Sequence, residues 1–330
     1  MISRPVVSTV INTFDRPDGL RRALASVGEQ RIDGHEVIVV NDAGPDVSAV
    51  LAEARERMPV RLIDLPSNRG LGAARKVGIA AARGRHVAFL DDDDVWLPGH
   101  LSTVLEALDG SSMEVVYTTC LVAHVVTEPG QPVQARHQFA MPFDPDLLAV
   151  ANLTPVISAV ARRFDPHDPA VDAQGAMQED WAMWLGLVHG HGWRMRHVDL
   201  ATTVYHRIPS VASMTGSAAS TIDGVRRFAA GHRELHWRWP VAPGSPAGRA
   251  RWMPHRMYQL VEQRHAAREP VDMYYYERCL PLFAAAVNGQ LDTAPAEAAL
   301  AAAVAPQSRR SGIPEQRSSE PHAVMKESLR

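Results

Sequence analysis

The chain has 330 residues, of which 46% are hydrophobic, and a formal net charge of −3. It is long enough to bury a substantial core, and it lacks the basic stripe of a nucleic-acid-binding protein and any run of ~18 apolar residues that would span a membrane. Cys120 and Cys279 are far apart and suggest neither a disulfide framework nor a zinc site. Because the N-terminus also lacks the apolar stretch of a signal peptide, we expect a cytoplasmic protein without an integral membrane segment.

In the N-terminal part of the chain, short β-branched runs alternate with segments of helical periodicity. This alternation is typical of βαβ units, in which helices cover a parallel sheet. The predicted strands are 6–13, 36–41, 60–65 and 86–90. Helices are predicted after Pro17, across 47–54, across 70–83 and after Pro98. Together these elements predict one doubly wound unit.

The helix predicted at 70–83 carries small residues at helical spacing, which would let it lie close to a sheet. Its predicted inner face consists of Leu71, Ala74, Gly78 and Ala81.

Beyond Glu114 the pattern is less regular. We predict strands at 115–126 and 156–161, and a helix at 178–189 whose apolar face contains Trp181 and Trp184. Residues 215–305 are predicted to be helical, with packing contributed by Trp237, Trp239, Trp252 and the tyrosines at 274–276. From Pro306 onward Ser, Arg, Glu and Pro dominate, which predicts a disordered tail.

Polar residues follow three of the predicted strands. Thr13 and Phe14 end the first, Asn41 and Asp42 end the second, and four consecutive aspartates at 91–94 follow the fourth. Because the carboxyl ends of parallel strands meet at a ligand crevice, we expect these residues to form one site. Four adjacent carboxylates repel one another unless a cation or a proton offsets their charge. Their oxygen atoms suit Mg²⁺ or Mn²⁺, which usually takes further ligands from substrate phosphates and water.

Five segments of the chain resemble the motifs of the nucleotide-sugar-dependent glycosyltransferases of family 2. They are 7–14, 39–44, 68–75, 89–94 and the acidic pair with its tryptophan at 179–181, and they occur in the family's order. The resemblance implies the GT-A fold, an α/β fold with a Rossmann-like, mostly parallel sheet flanked by helices, here with a helical C-terminal extension. On this basis we divide the chain into a glycosyltransferase domain at 1–214, a helical region at 215–305 and a tail at 306–330. The domain would have a nucleotide-binding half at 1–110 and an acceptor half at 111–214.

The resemblance also implies roles for individual residues. It places Asp93 on a divalent metal, Asp91 near the ribose and the metal, and His206 on the metal or diphosphate. Asp180 would be the general base, with Glu179 as the second candidate, because transfer with inversion needs a carboxylate that removes the acceptor proton. The residues implied to bind the nucleotide sugar are Thr13, Phe14, Arg16, Asp42, Asn68, Gly70, Arg75, Asp91 and Asp92.

Several of these residues have a structural alternative. Asp94, a third metal candidate, would otherwise cap the next helix, Asp42 would prepare the turn at Gly44, Phe14 would lie in the core, and Arg75 would form a surface ion pair. Acids such as Glu179 and Asp180 also occur at helix starts because they complement the macrodipole. His206 would otherwise be a core or surface histidine.

Three positions depart from the family pattern. Asn12 stands where Pro is common, Asn41 where Asp is common and Lys76 where Asn is common, so contacts made through them are not implied for this chain. His189 and His191 follow a predicted helix end, where a cationic residue and glycine are expected, and we exclude them as metal ligands.

We therefore predict a metal-dependent, inverting glycosyltransferase that moves a sugar from a nucleotide diphosphate sugar, with a UDP-sugar favoured, to a hydroxyl of an unidentified acceptor. Mn²⁺ or Mg²⁺ would bind the diphosphate, and nucleic acid is not expected as a partner. One alternative is a nucleotidyltransferase, which would need a Gly-rich phosphate loop where this chain has residues 12–17. The other is a nucleotide-sugar-binding protein without catalytic activity.

Overall fold

The structure, a computed structural model, describes residues 5–172, 176–208 and 220–307. Within these residues, nine strands form one mixed sheet against which helices pack. The strands are β1 (Val7–Thr13), β2 (His35–Asn41), β3 (Val60–Asp64), β4 (His86–Asp91), β5 (Val95–Trp96), β6 (Val115–Ala123), β7 (Ala135–Phe139), β8 (Ala159–Arg162) and β9 (Met195–His206).

The helices that accompany the sheet are α1 (Pro17–Gly28), α2 (Ser48–Arg55), α3 (Leu71–Ala81), α4 (His100–Leu108), α5 (Pro145–Leu148) and α6 (Glu179–Leu185). Those of the C-terminal region are α7 (Ile222–Arg238), α8 (Pro246–Ala250), α9 (Trp252–Ala266), α10 (Tyr275–Val287) and α11 (Thr293–Val304). A short 3₁₀ turn (Val156–Ser158) precedes β8, and a π-helical turn (Gly186–Gly190) follows α6, where the sequence predicted a continuous α-helix.

The N-terminal half of the sheet has the order β3-β2-β1-β4, with every pair parallel. From β1 the chain moves outward to β3 and then returns to the other side of β1 with β4. The strand order therefore reverses between β1 and β4, which is the position where open α/β sheets bind ligands. The predicted doubly wound unit and mostly parallel sheet are confirmed.

The second half of the sheet reverses direction. Strand β4 pairs antiparallel with β8 and β8 with β6, whereas β6 and β9 are parallel. The sequence did not predict β9, because Arg196, His197 and Asp199 interrupt its apolar pattern. Register shifts opposite Thr118 and Thr119 also break the regular ladder with β6.

Helix α3 lies directly on β1 and β2. A Cβ atom at Gly78 would lie 2.3 Å from Cγ1 of Val10, so a larger side chain requires the helix or the strand to move. Ala74 is fully buried on the same face. The predicted close packing is confirmed at these two positions, whereas Leu71 and Ala81 are half-buried at the edges of the contact.

The helical C-terminal region is confirmed, and it is attached to the sheet by a buried ion pair. Arg207, directly after β9, donates from Nη1 to Oε2 of Glu277 in α10 at 2.9 Å, and both residues are buried. Trp237 was predicted to pack, but 84% of it is exposed. The prediction was wrong because the buried face of α7 passes through His232 and His236, which leaves position 237 outside it.

Cys120 and Cys279 are both buried and free. In the described parts of the chain, every helix is too short or too polar to cross a membrane. The boundary predicted at 214 lies outside the described residues, and so does the predicted tail at 306–330 apart from Pro306 and Gln307.

We expect Gly78→Val to destabilise the fold by about 2 kcal/mol, because overpacking between α3 and β1 forces a displacement. Urea denaturation followed by circular dichroism measures the free energy of unfolding. Ala80→Val, on the exposed side of α3, is the control and should change that free energy by less than about 0.5 kcal/mol. Equal stabilities of the two variants would contradict the close packing.

Candidate active site

The polar carboxyl ends of three strands lie at one edge of the sheet. Thr13 of β1 is paired with Asn41 of β2, and Asn12 of β1 is paired with Asp91 of β4. The register therefore brings the residues after β1, β2 and β4 to the crevice where the strand order reverses.

Asp92 holds the turn after β1. Its Oδ2 accepts hydrogen bonds from the Thr13 hydroxyl at 2.8 Å and from the Phe14 N–H at 3.3 Å, and its Oδ1 accepts one from Arg16 Nη1 at 3.2 Å. Asp92 is 4% exposed, and these three hydrogen bonds of its side chain all go to residues 13–16. The bonds place Thr13 and Arg16 beside the acidic run, whereas contacts of these residues with a nucleotide sugar stay predictions.

Phe14 is 49% exposed, so the alternative that it lies in the core is wrong. The next residue, Asp15, has a φ of 56°, in the left-handed region, and the chain turns sharply there. The Phe14 ring is thereby left at the crevice with a free apolar surface.

Asp91 and Asp93 keep part of their side chains accessible, 24% and 26% respectively. Arg16 Nη1 donates to Asp93 Oδ2 at 2.6 Å. Burial raises the pKa of Asp93 to about 6, and repulsion by Asp91 and Asp92 contributes, although Arg16 acts in the opposite direction. Arg16 does not offset all of the cost of burying this carboxylate beside Asp91 and Asp92, so a further cation at this point would stabilise its ionised form.

Asp94 and His206 lie behind the run. The His206 backbone N–H donates to Asp94 Oδ1 at 2.7 Å, and burial raises the pKa of Asp94 well above its usual range. The alternative that Asp94 is a solvated helix cap is wrong, because the residue is fully buried. The ring of His206 bonds to the Asp93 carbonyl through Nδ1 at 2.7 Å and accepts from the Thr127 N–H through Nε2 at 2.9 Å. Metal binding by His206 stays a prediction and would require the bond to Thr127 to open.

Asp42 closes the loop before α3. Its Oδ1 accepts from the Arg69 N–H and its Oδ2 from the Gly70 N–H, each at 2.8 Å. Asn68 Oδ1 also accepts from the Gly70 N–H, at 3.2 Å. Gly70 has a φ of 81°, which favours glycine because other side chains are strained there. Contacts of Asp42, Asn68 and Gly70 with a nucleotide sugar stay predictions.

The turn at Gly44 is held by Asn41. The sequence had suggested this role as the alternative for Asp42. The Oδ1 of Asn41 accepts from the Gly44 N–H at 3.0 Å, and its Nδ2 donates to the Pro45 carbonyl and to Asp64 Oδ1, both at 3.1 Å. The aspartate common in the family would face Asp64 with like charge. Asparagine at position 41 therefore avoids charge repulsion with Asp64 in β3.

Arg75 lies on the buried side of α3. Its Nη1 donates to Glu179 Oε1 at 2.7 Å and its Nη2 donates to Asp91 Oδ1 at 3.1 Å. The side chain is 4% exposed, so the alternative of a surface ion pair is wrong, and contact with a base or phosphate stays a prediction. The guanidinium joins the end of β4 to the start of α6.

Asp180 follows Glu179 at the start of α6. Glu179 is occupied by Arg75, whereas Asp180 accepts hydrogen bonds from its neighbour Trp181 N–H at 2.7 Å and from Asn152 Nδ2 at 2.9 Å. Burial, followed by repulsion from Glu179, raises the pKa of Asp180 to about 7, against the effects of Arg75 and the two hydrogen bonds. This is a pKa suited to a general base near neutral pH.

Sequence reasoning missed Asn152. It ends the apolar run at 147–151, and an isolated amide after such a run was the available signal. It also missed Tyr276, which was predicted only to pack, although its hydroxyl contacts the backbone of Asn152.

The residues around the crevice fit a small divalent cation. Asp91 and Asp93 offer hard oxygen ligands at one strand end, and both keep accessible surface although each is paired with an arginine. Within residues 5–172, 176–208 and 220–307, no group of three or more His, Cys, Asp or Glu side chains is arranged to hold a metal ion. A cation here would need further oxygen ligands, such as those of a diphosphate and water.

We expect Arg75→Met to destabilise the protein by about 3 kcal/mol, because it leaves the buried Glu179 carboxylate and the partly buried Asp91 carboxylate without their counter-ion. Urea denaturation measures the free energy of unfolding. The control is Arg21→Met, which removes an exposed guanidinium that is also paired with two carboxylates, those of Asp18 and Glu53. That variant should lose less than about 1 kcal/mol. A similar loss in both variants would mean that the Arg75 pairs are not a buried link.

The chain is similar to known glycosyltransferases. The model of the family "Glycosyl transferase family 2" matches residues 8–165. The uncharacterized glycosyltransferase YwdF of Bacillus subtilis is 30% identical over 203 residues, which are 60% of this chain and 73% of that protein. The succinoglycan biosynthesis protein ExoO of Rhizobium meliloti is 39% identical over 111 residues, 34% of this chain and 32% of that protein.

Among solved structures, the mannosyltransferase PcManGT from Pyrobaculum calidifontis, in complex with GDP-Man and Mn²⁺, is similar in fold. The match has a TM-score of 0.50 and 18% identity, and it covers 91% of this chain and 80% of that one. The fold is of the GT-A type. The ordered motifs, the doubly wound sheet and the match to most of a curated relative lead to one conclusion: the chain belongs to glycosyltransferase family 2, and it is a transferase.

Proposed function

We propose that this glycosyltransferase is metal-dependent and inverting, and that it moves a sugar from a nucleotide diphosphate sugar to an acceptor hydroxyl. The observation that carries the proposal is the bridge from Asp91 through Arg75 to Glu179. It connects the strand end suited to a metal and diphosphate with the helix that bears Asp180.

Asp180 is the proposed general base. As the acceptor oxygen attacks the anomeric carbon, its proton passes to the Asp180 carboxylate, and the bond from that carbon to the diphosphate oxygen breaks on the opposite face. The raised pKa of about 7 supports this role, since such a carboxylate is a stronger base than an ordinary aspartate and is still ionised at slightly alkaline pH. Glu179 is the weaker candidate because its carboxylate is paired with Arg75.

Asp91 and Asp93 are the proposed metal ligands, with Mn²⁺ or Mg²⁺ as the cation. When bound, the cation offsets the charge that develops on the departing diphosphate. Arg16 donates a hydrogen bond to Asp93. If Asp93 binds the metal instead, Arg16 is placed to orient the phosphates. The exposed Phe14 ring offers an apolar surface to the nucleobase.

Two nucleotides are candidates for the donor. A UDP-sugar is favoured by the resemblance of the motifs, while the similar mannosyltransferase was solved with GDP-Man and Mn²⁺, so both nucleotides should be tested. The acceptor class and a cytoplasmic location stay predictions.

We expect a nucleotide diphosphate sugar to raise the melting temperature only when Mn²⁺ or Mg²⁺ is present. At ~100 times its dissociation constant the ligand adds about 2.7 kcal/mol to native stability. A thermal-shift panel of UDP-, GDP-, dTDP- and CMP-sugars with and without metal measures this. Asp93→Asn should abolish the metal-dependent shift, whereas Asp18→Asn, whose side chain is 85% exposed, should retain it. A panel without any metal-dependent shift would contradict the proposed donor site.

We expect Asp180→Asn to lower the transfer rate roughly 10²–10⁴-fold while donor binding persists, because an amide cannot take the acceptor proton. In the wild-type enzyme the rate should fall as the pH drops through about 7, because the base is then protonated. The variant should melt no lower than wild type at pH 8, since a raised pKa means that ionisation of Asp180 costs stability above its unfolded-state value.

Release of nucleoside diphosphate in the presence of a sugar acceptor measures the rate. Near wild-type transfer by Asp180→Asn would remove Asp180 as the base. Donor binding without any turnover in the wild-type enzyme would favour the non-catalytic alternative.

A further inference from the structure

The carboxylate of Asp180 is held from both sides. Asn152 Nδ2 donates to Oδ2 at 2.9 Å, and the Trp181 N–H donates to Oδ1 at 2.7 Å. Because each oxygen accepts one hydrogen bond, the plane of the carboxylate is fixed. A general base must direct a lone pair at the proton it removes, so the group that sets this plane affects catalysis without touching the substrate.

Asn152 is held in turn by Tyr276 of the C-terminal helix α10. The Tyr276 hydroxyl accepts from the Asn152 N–H at 2.9 Å and donates to the Asn152 carbonyl at 3.2 Å. Burial raises the pKa of Tyr276, so the hydroxyl keeps its proton. The two residues are 124 positions apart, and this contact brings the C-terminal region within two hydrogen-bonding steps of Asp180.

The backbone that precedes this asparagine is bound by other side chains of the C-terminal region. Arg251 Nε donates to the Ala149 carbonyl at 3.0 Å. Nε2 of His232 lies 2.9 Å from the Val150 carbonyl, and Nε2 of His236 lies 3.0 Å from it. Burial lowers the pKa of both histidines, so the rings are neutral and each Nε2 carries the hydrogen that it donates. The segment at 149–152 is thus fixed by helices outside the sheet.

We propose that Asn152 and Tyr276 are positioning residues for Asp180: Tyr276 fixes Asn152, and Asn152 orients the carboxylate and stabilises its ionised form. The inference rests on the proposed role of Asp180 as the general base. It assigns to the helical C-terminal region a part in the catalytic step in addition to its packing.

The inference predicts a change in the titration of Asp180. The charged and titratable groups that face its carboxylate are Glu179 and Arg75 within the ion-pair network and Tyr276 behind Asn152. The Asn152 amide lowers the pKa of Asp180, whereas burial and Glu179 raise it. Loss of the amide should therefore move the pKa further upward.

The test is a ¹³C NMR titration of the full chain labelled at the aspartate carboxyl carbons, with the Asp180 signal assigned by its loss in Asp180→Asn. We expect Asn152→Ala to raise the midpoint by about one pH unit, a tenfold change in the dissociation constant, because a hydrogen bond to a charged group is lost. Tyr276→Phe keeps the ring and should shift the midpoint in the same direction by a smaller amount. The acidic limb of the pH–rate profile should move with the midpoint in both variants.

The control is Tyr274→Phe, which removes a buried hydroxyl without a hydrogen-bond partner among the described residues and should leave the midpoint unchanged. Midpoints equal to wild type in both Asn152→Ala and Tyr276→Phe would overturn the inference. A shift in Asn152→Ala alone would overturn the role of Tyr276. If only one variant folds, its midpoint relative to wild type decides the role of the residue that it alters. The titration needs no substrate, so it is independent of the proposed function, whose failure would appear as undiminished transfer by Asp180→Asn.

Discussion

The rest of the site depends on one buried guanidinium. Arg75 bonds to Asp91 at the end of β4 and to Glu179 at the start of α6, and its charge is the reason that the partly buried Asp91 carboxylate and the buried Glu179 carboxylate can share one partner. Arg75 reaches them because α3 lies close to the sheet, which in turn requires the absence of a side chain at Gly78. A steric constraint on one helix thus determines the distance between the donor side and the proposed base.

The four consecutive aspartates show how environment separates chemically identical groups. Asp92 accepts hydrogen bonds from the turn after β1, and Asp94 is fully buried with a pKa well above its usual range. Asp91 and Asp93 alternate with these two and retain accessible surface. The alternation follows from the chain leaving the sheet at this point, so that successive side chains point to different surroundings. Of the four, Asp91 and Asp93 have the accessible surface that a cation and a diphosphate would need, although each also bonds to an arginine.

The parallel half of the sheet was predictable because its signal is local: β-branched runs, helical periodicity and proline at helix starts lie within a few residues of one another. The convergence of Thr13, Asn41 and Asp91 followed from topology alone. The features that could not be predicted depend on contacts between residues far apart in the sequence. The environment of Arg75 depends on Glu179, which is 104 positions away, and nothing near Tyr276 in the sequence indicates a contact with Asn152. For the same reason β9, which is held by its neighbours rather than by its own pattern, was missed.

The separations of these contacts also bear on biosynthesis. A ribosome produces the strands that carry the acidic run long before it produces α10, yet the hydroxyl of Tyr276 contacts a residue 124 positions earlier. Contacts that close long loops form late because the entropy of closure must be overcome first. A nascent chain can therefore complete its N-terminal βαβ units before Asn152 forms its hydrogen bond with Tyr276. Until α10 has been synthesised, the chain therefore has the acidic run in place while the segment beside Asp180, the proposed base, lacks one of its anchors.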